Sequence, residues 1–485
     1  MKKNVRIVFF SYPHHSENDL SLSFAVIIKL SKCCPFFQNP VRIYDQFVIF
    51  NFQTWYDFAY DTVEKEGDSV KRLVVIGNGL AGIQFIERLL SMKSSRFEIT
   101  IIGKEPAYKR YLLSRILQKN VAFEKAELEE EDWYKERGIR LIENEVAVMI
   151  DPISRHVKTD RGRKIAYDTL VLATGANPHV LPVKGAGKNG VMTFRSMNDC
   201  KALMDASKRY QKAAVIGAGI LGLETAMGLV QQGIDTTVVH HQPNVMNRQL
   251  DRLASEMLQE DLEKLGVKFA LCKRTKKING DSCALSLTFS DGTSLEADLV
   301  LMAVGVKPNV ELAKKSGLEV HRGILVDDYL QTSDPCIYAI GECAEHRDIT
   351  YGVIDPILDQ AEHLAQTIAG CPKQYRGSIP STTLNISGIS LFSAGQVLET
   401  EDTRTYQWID PIRHVYKKIV TLHGHVIGAI LYGDTSEAVI LAKLVSRLAP
   451  VSDIPSNQLF PEERKRKTNL TLVPRSDQVS RTAQS

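Results

Sequence analysis

Short apolar runs alternate with helical stripes along most of the chain. The run 73–76 is followed by a glycine turn. Apolar residues then recur at helical spacing, at Ile83, Ile86, Leu89 and Leu90. A second run, turn and stripe occupy 213–230. Each set predicts a strand–turn–helix unit, and repeated units of this kind build parallel sheets flanked by helices.

Further apolar runs predict the remaining strands of both units. They lie at 97–103, 167–175, 235–241, 297–309 and 336–345. Charged, helix-compatible sequence covers 121–138, and from about residue 380 shorter runs lead to a last helix at 435–448. The pattern therefore predicts an α/β protein with two Rossmann-like dinucleotide-binding domains and a small C-terminal α+β domain.

Both predicted helices follow the pattern Gly-x-Gly-x-x-Gly. It is formed by Gly77, Gly79 and Gly82 in the first unit and by Gly217, Gly219 and Gly222 in the second. The first glycine permits the tight turn, the second lets the backbone approach a pyrophosphate, and the third lets helix and strand pack closely. The N–H groups at the helix start then face the phosphates. A tight turn that binds nothing is the alternative for each copy.

The strands after the two turns end differently. Glu105 follows the first, near the offset at which a carboxylate grips a ribose hydroxyl. The second ends at His240-His241 without an acidic residue. A carboxylate there would favour NAD, whereas a protonated imidazole attracts a 2′-phosphate. The sequence leaves NADH and NADPH both open, as well as the interpretation that both histidines face solvent.

Composition narrows the class of protein. The 485 residues are 44% hydrophobic and carry a net charge of +3, so neither a nucleic acid nor a membrane surface is indicated as a partner. No stretch is long and apolar enough for a membrane-spanning helix. The eight cysteines contain no C-x-x-C pair, which predicts no metal site and no dithiol pair. Their scatter favours the reducing cytoplasm.

The closing turns complete an ordered set of motifs. In chain order they are Gly77–Gly82, Ala173-Thr174-Gly175, Gly217–Gly222, Ala303-Val304-Gly305 and Gly341-Glu342. With these the chain resembles the two-dinucleotide-binding flavoproteins of the pyridine nucleotide–disulfide oxidoreductase class. In that class the first turn holds FAD, an inserted unit holds NADH or NADPH, and the chain then returns to finish the FAD domain. The resemblance implies those cofactors, FAD and NADH or NADPH.

The resemblance also implies a division of the chain. An FAD-binding domain takes 70–187 and 296–372, an NAD(P)H-binding domain 188–295 and a C-terminal α+β domain 373–454. The polar and basic composition of 455–485 predicts a disordered tail. Residues 1–69 have no counterpart and are expected to lie outside the redox core. An erroneous upstream start is one explanation, although a start near Val70 would need a non-ATG codon, since no methionine lies between Met1 and Met92.

Four shorter stretches refine the resemblance, namely 105–117, RQLD at 248–251, 341–353 and LYGDT at 431–435. They are similar to the flavoprotein portion of assimilatory nitrite reductase large subunits and to the electron-transfer subunit of nitrate reductase. The cofactor-binding residues implied in this way are Gly77, Asn78, Gly79, Ala81, Gly82, Glu105, Tyr108, Arg110, Ser114, Ala173, Thr174, Gly175, Gly217, Gly219, Ile220, Gly222, His240, Gly305, Gly341 and Glu342.

Two residues are implied to act near the reacting rings. Arg115 falls where relatives often carry a lysine near the flavin, and Glu224 would lie near the nicotinamide. An ordinary helix carboxylate is an equal alternative for Glu224. Residues 105–132 contain no cysteine, so a thiol relay is not expected and electrons should leave the flavin directly for an external acceptor.

The implied activity is transfer of electrons from NAD(P)H through FAD to a separate redox protein in nitrite or nitrate assimilation. That partner would be an iron–sulfur, sirohaem or molybdenum reductase subunit, or a rubredoxin-like carrier, because Cys371 is the only cysteine after the 341–353 stretch that ends the motif set. The alternatives are a rubredoxin or ferredoxin reductase and a nucleotide-responsive flavoprotein with a regulatory binding role. A homodimer stays open.

Overall fold

The computed structural model describes residues 70–92 and 97–454, together with four short strands before residue 70. It divides the chain into two compact units, Met1–Val70 and Lys71–Ser485. In the first unit, strands β1 (Ile7–Ser11), β2 (Phe24–Lys29), β3 (Ile43–Tyr44) and β4 (Phe47–Phe50) pair antiparallel in the order β1-β2-β4-β3. The predicted tail 455–485 lies outside the described residues. The following description concerns the second unit.

The first dinucleotide turn lies in a chain segment of alternating strands and helices. Its elements are β5 (Lys71–Ile76), α1 (Leu80–Ser91), β6 (Phe97–Gly103), α2 (Leu113–Leu117), α3 (Glu131–Glu136), β7 (Arg140–Glu143), β8 (Ala147–Asp151), β9 (His156–Thr159), β10 (Lys164–Ala166), β11 (Thr169–Leu172) and β12 (Ala176–Pro178). Strands β8 to β10 form a small antiparallel sheet. Strand β5 is buried over 73–76, as expected of the centre of a parallel sheet.

The second turn lies in an inserted segment of the same design. Its elements are β13 (Val191–Thr193), α4 (Met197–Ala206), β14 (Lys212–Ile216), α5 (Ile220–Gln231), β15 (Asp235–Val239), α6 (Arg252–Lys264), β16 (Lys268–Ala270), β17 (Thr275–Asn279), β18 (Ser286–Phe289), β19 (Ser294–Glu296) and β20 (Leu299–Met302). Five of the strands form a parallel sheet in the order β13-β20-β14-β15-β16. The predicted second Rossmann-like domain is thereby confirmed.

The chain then returns to complete the first sheet. The elements of this part are β21 (Val306–Pro308), α7 (Glu311–Lys315), β22 (Ile324–Val326), β23 (Ile337–Ala339), β24 (Ala344–His346) and α8 (Ile354–Ile368). Strand β23 joins the parallel sheet β23-β11-β5-β6-β7 beside β11. Because a strand from the far side of the insertion completes this sheet, the two dinucleotide units are nested rather than consecutive.

The C-terminal part is a five-stranded antiparallel sheet with one helix. Its elements are β25 (Ser381–Ile386), β26 (Ile389–Gly395), β27 (Thr403–Asp410), β28 (Val415–Leu422), β29 (His425–Tyr432) and α9 (Ala438–Ser446). The strand order is β25-β26-β29-β28-β27. Side chains of this sheet, including Leu384, Tyr416 and Tyr432, share one buried cluster with α5 and α6, so the C-terminal domain packs on the inserted domain. Among the described residues, no helix has the length and apolarity to cross a membrane.

Two details differ from the sequence prediction. The stretch 121–138 holds only a 3-10 turn at Phe123–Ala126 and the short helix α3. The reason is a backbone pairing that competes with helix formation, since Lys109 N–H donates to the Ala126 carbonyl at 2.5 Å and Leu128 N–H to that of Ala107 at 3.1 Å. Leu90 is 37% exposed, whereas the other three stripe residues of α1 are buried.

Candidate functional site

The first glycine turn has no room for side chains at two of its three glycines. Gly77 has φ +116°, and a Cβ there would overlap the carbonyl oxygen of Ala173. A Cβ on Gly82 would overlap the carbonyl oxygen of Gly77. At Gly79 a Cβ would meet nothing within 4 Å. The turn is therefore closely packed at Gly77 and Gly82 and open at Gly79. On this open side the first N–H groups of α1 lack intrahelical partners.

The second turn repeats this geometry. Gly217 has φ +114° and abuts the Ala303 carbonyl, and Gly222 abuts the Gly217 carbonyl. Gly219 again faces open space, and Ile220 is the first residue of α5. Both turns thus fit a pyrophosphate laid across the start of a helix.

The two turns are supported from beneath by different residues. In the first, the carboxamide of Asn78 fills the space over Gly103, where a Cβ would overlap it, and its Nδ2 donates to the Glu105 carbonyl at 2.7 Å. In the second, Ala218 replaces the asparagine and the polar group comes from His240 on the neighbouring strand end. The N–H of Ala218 donates to His240 Nδ1 at 3.4 Å.

His240 is 8% exposed, while His241 is exposed. The interpretation that both histidines face solvent is therefore wrong for His240. Burial lowers the pKa of His240, against the hydrogen bond that its Nε2 makes with Asn247 Oδ1 at 3.3 Å. The ring is accordingly neutral near neutral pH and supports the turn from within, which sequence spacing alone did not indicate.

The carboxylate of Glu105 lies in a small polar cluster beside the first turn. Its Oε2 accepts from the Tyr108 hydroxyl at 2.9 Å, and its Oε1 accepts from Arg110 Nη2 at 2.7 Å. Burial raises the pKa of Tyr108 to about 12, so the phenol stays a donor. A carboxylate has about four lone-pair positions, and two donors leave capacity for the hydroxyls of a ribose. The structure therefore brings together Glu105, Tyr108 and Arg110, three of the predicted cofactor-binding residues.

Arg195 belongs to the same cluster and was not predicted. Its carbonyl oxygen accepts from Arg110 Nη1 at 2.6 Å, and its guanidinium pairs with the carboxylate of Glu342. Its Nε is buried and has no partner among the described residues. Arg195 precedes the N-cap Ser196 of α4, and an arginine before a capped helix has no distinctive sequence signal. Arg195 becomes part of a site only because Glu342, far along the chain, lies next to it.

The connections between the two dinucleotide units run side by side. Strands β12 and β21 pair antiparallel next to the turns at Gly175 and Gly305. Asn309 Nδ2 donates to the Thr174 carbonyl at 2.9 Å, while Thr174 Oγ1 donates to the Asn309 carbonyl at 3.0 Å. Ala173 is buried behind Gly77. These bonds connect the turn at 173–175, which closes the first dinucleotide unit, to Asn309, where the chain leaves the second.

The last motif lies against the start of α1. Gly341 has φ +80°, and a Cβ there would lie 2.9 Å from the Cβ of Ala81. Its N–H donates to Oε1 of the buried Gln360 at 2.7 Å. The side chain of Glu342 is thereby directed toward Gly175, since a Cβ on that glycine would lie 3.9 Å from Glu342 Oε2.

Helix α2 of the first dinucleotide unit contacts helix α5 of the second near the predicted reacting residues. Gln118 Nε2 donates to the Glu224 carbonyl at 3.0 Å, and a Cβ on Gly228 would lie 2.9 Å from Leu117 Cγ. Burial raises the pKa of Glu224, against a hydrogen bond from Ser114 and the positive charge of Arg115. Ser114 is buried and Arg115 is exposed. Helix α2 thus contacts α5, and the charge of Arg115 lies near enough to act on the carboxyl group of Glu224.

The cysteines in the described part of the chain are free. Cys343 is buried, and burial raises the pKa of its thiol. Its Sγ donates to the carbonyl oxygens of Ile340 and Leu172 at 3.3 and 3.4 Å. A thiol of this kind is a poor nucleophile, because the thiolate is the reactive form.

Two models of known protein families match this chain. Residues 71–367 match the model described as pyridine nucleotide-disulphide oxidoreductase, and residues 380–448 match the rubredoxin NAD+ reductase C-terminal domain. The first match spans both glycine turns and all the closing turns. The second covers the antiparallel sheet that packs on α5 and α6.

Two curated relatives from Bacillus subtilis (strain 168) match most of the chain. A nitrite reductase [NAD(P)H] is 45% identical over 413 residues, which are 84% of this chain and 51% of the relative. An assimilatory nitrate reductase electron transfer subunit is 47% identical over 370 residues, or 76% of this chain and 48% of the relative. The chain therefore spans about half the length of these relatives.

One solved structure matches along almost its entire length. The crystal structure of NADH:rubredoxin oxidoreductase from Clostridium acetobutylicum is 27% identical, with a TM-score of 0.65. The match covers 81% of this chain and 99% of that one.

Proposed function

Since this chain belongs to the pyridine nucleotide-disulphide oxidoreductase family, we propose that it oxidises NADH or NADPH and passes the electrons through FAD to a separate redox protein. Its cofactors are FAD and a pyridine nucleotide. When bound, FAD supplies the conversion of two-electron hydride transfer into one-electron transfer. The residues of the chain bind and orient the two cofactors and exclude water from the reacting rings.

The observation that carries the proposal is the contact between α2 and α5. In it, Gln118 at the end of α2 donates to the Glu224 carbonyl at 3.0 Å, and the positive charge of Arg115 acts on the Glu224 carboxyl group. Arg115 follows the first turn in the chain, and Glu224 follows the second. Two nucleotides bound at the two turns would meet at this contact. Holding reacting groups in one orientation lowers the barrier of a reaction between them, so a close-packed contact between α2 and α5 serves the proposed reaction.

Separate groups would hold FAD at the first dinucleotide turn, Gly77–Gly82. The N–H groups at the start of α1 would bind the pyrophosphate, and Glu105 would accept from a ribose hydroxyl. Glu342 and Arg195 would lie along the linker between flavin and phosphate. In the second unit the N–H groups at the start of α5 would bind the phosphates of NAD(P)H, with His240 supporting the turn from beneath.

The acceptor we propose is a separate protein of nitrite or nitrate assimilation, such as an iron–sulfur, sirohaem or molybdenum reductase subunit. The support is the identity of 45% and 47% to the two Bacillus subtilis relatives. A cytoplasmic location is supported by the free cysteines of the described residues.

A second candidate acceptor is a rubredoxin-like carrier. The match of residues 380–448 to the rubredoxin NAD+ reductase C-terminal domain favours it. The Clostridium acetobutylicum NADH:rubredoxin oxidoreductase supports it further, because the match to this chain covers 99% of that enzyme.

The proposal is tested on the purified full chain, reconstituted with FAD. Anaerobic addition of NADH or NADPH should bleach the flavin absorbance within the mixing time of a stopped-flow instrument. Reduced protein is then mixed with a sirohaem nitrite reductase, an iron–sulfur protein or rubredoxin, and reoxidation is followed. A protein that takes up no FAD would contradict the proposal, and reoxidation by rubredoxin alone would select the second acceptor.

A further inference from the structure

Two sequence motifs have no role in the cofactor site. The RQLD motif at 248–251 ends the loop after β15, and the LYGDT motif at 431–435 spans the end of β29. Although distant in the chain, both contact helix α6 (Arg252–Lys264). This helix lies between the second dinucleotide turn and the C-terminal sheet.

The carboxylate of Asp251 uses its two oxygens for different partners. Oδ1 accepts from the N–H of Ala254 at 3.1 Å, which makes Asp251 the N-cap of α6. Oδ2 accepts from the Tyr416 hydroxyl at 2.6 Å and from Lys418 Nζ at 2.9 Å. Tyr416 and the Lys418 side chain are buried, and hydrogen bonds to a charge away from water are the stronger kind. Strand β28 of the C-terminal domain therefore holds the first turn of α6.

The loop before Asp251 is bonded to the second glycine turn. Met246 N–H donates to the Ala218 carbonyl at 2.9 Å, and Leu250 N–H to the Met246 carbonyl at 3.0 Å. From the other side, Ser255 Oγ of α6 donates to the Val245 carbonyl at 2.9 Å. Hydrogen bonds thus link the backbone of the turn to the loop, and the loop to the start of α6.

We propose that Asp251 is a positioning residue for the pyridine nucleotide. By fixing the start of α6 to β28, it holds the loop 245–250 against the turn at Gly217–Gly222. The inference rests on the proposed use of that turn for NAD(P)H. It makes the C-terminal domain a determinant of nucleotide affinity through Tyr416 and Lys418.

Asp261 offers a matched control on the same helix. Its Oδ2 accepts from the Tyr432 hydroxyl at 2.7 Å, and its Oδ1 accepts from Lys264 Nζ at 2.8 Å. It therefore also ties α6 to the C-terminal sheet, but about 15 Å further along the helix axis. A general loosening of the domain contact would affect variants of both residues, whereas loss of loop positioning would affect only Asp251.

The test compares Asp251→Asn with Asp261→Asn in the full chain. Asparagine keeps the N-cap acceptor but turns an NH₂ group toward Tyr416 and Lys418. Glu399 Oε1, at 3.1 Å from Lys418 Nζ, still compensates the buried ammonium, which favours folding of the variant. Tyr416→Phe removes one hydrogen bond only and serves as a second, milder variant.

Affinity for NAD+ is measured by titration calorimetry, and kcat and KM for NADH and NADPH are measured with ferricyanide as acceptor. We expect Asp251→Asn to raise Kd and KM about fivefold or more, with kcat changed less than about twofold. Tyr416→Phe should raise both about twofold, and Asp261→Asn should leave both within about twofold of the unchanged protein.

Unchanged Kd and KM in Asp251→Asn, or an equal rise in both asparagine variants, would overturn the inference. The proposed function fails separately, when the unchanged protein binds FAD but oxidises neither nucleotide. In that case calorimetry with NAD+ still decides the role of Asp251, because it requires no turnover.

Discussion

The guanidinium of Arg195 and the carboxylate of Glu342 form an ion pair between the inserted segment and the part of the chain that follows it. Nη1 lies 3.4 Å from Oε1, and Nη2 contacts Oε2. Only 19% and 15% of the two side chains are exposed. A two-pronged pair of this kind fixes both orientation and charge, so the last motif of the chain is set by an arginine that precedes α4.

Replacing Arg195 should therefore weaken FAD binding. In Arg195→Met the Glu342 carboxylate loses its counter-charge beside the proposed path of a phosphate-bearing cofactor. We expect the Kd for FAD to rise about tenfold or more, equivalent to about 1.4 kcal/mol, as measured by fluorescence titration of the apoprotein. Arg195→Lys keeps the charge without the fork and should fall between the two. Equal FAD affinity in all three proteins would show that the pair serves the fold alone.

The two glycine turns should separate the two cofactors. Alanine at Gly77 or Gly217 meets a positive φ and a carbonyl oxygen, and each of these opposes the native turn. We expect Gly77→Ala to lose most of its FAD. Gly217→Ala should retain FAD but be reduced by NAD(P)H about tenfold more slowly or worse. Flavin absorbance and stopped-flow reduction measure these effects, and a Gly217→Ala protein without flavin would contradict the assignment.

His240 should make stability depend on pH. Burial lowers its pKa, so the unfolded chain takes up this proton first as the pH falls. Its contribution to stability is complete above the unfolded pKa of about 6.5 and decreases as the pH falls from there toward the folded pKa. In His240→Gln the decrease in Tm between about pH 7.5 and 5.5 should be smaller. His241→Gln, at an exposed position, is the control and should behave as the unchanged protein does.

Glu224 should affect the rate of flavin reduction rather than flavin content. Because burial raises its pKa, the carboxylate is lost at a higher pH than in an ordinary glutamate, and the reduction rate should fall as the pH falls through that range. Glu224→Gln removes the negative charge on which the positive charge of Arg115 acts. We expect about a tenfold slower reduction at neutral pH and a flatter pH profile. An unchanged rate in this variant would show that Glu224 is an ordinary helix carboxylate.

Alkylation of thiols should leave electron transfer intact. The exposed Cys272, Cys283 and Cys371 are open to iodoacetamide, whereas Cys200 and Cys343 are buried. Burial raises the pKa of Cys200 to about 11 and keeps it protonated. NAD(P)H oxidation with ferricyanide should therefore proceed at the same rate after treatment, with mass spectrometry confirming the modified residues. Loss of electron transfer to the protein acceptor on alkylation, with flavin reduction by NAD(P)H unchanged, would point to a thiol relay after all.

Much of the architecture was predictable from local pattern. The strands at 73–76 and 213–216, the helices that follow them and the glycines between them appear where apolar periodicity and the Gly-x-Gly-x-x-Gly spacing place them. This success has a physical basis. A strand buried on both faces needs a continuous apolar run, and a turn at positive φ needs glycine, whatever the rest of the chain does. Local requirements of this kind are written directly in the residues.

Other features depended on distant segments of the chain. The helix-compatible stretch 121–138 lost most of its helix to backbone pairing with 107–109, and His240 turned inward to support the second turn. Arg195 joined the site only because Glu342 returns to it, and Asp251 gained Tyr416 and Lys418 from the C-terminal sheet. The sequence by itself determined the two nucleotide turns and the family. The tertiary structure decided which charges are paired and buried, because that depends on contacts between residues far apart in the chain.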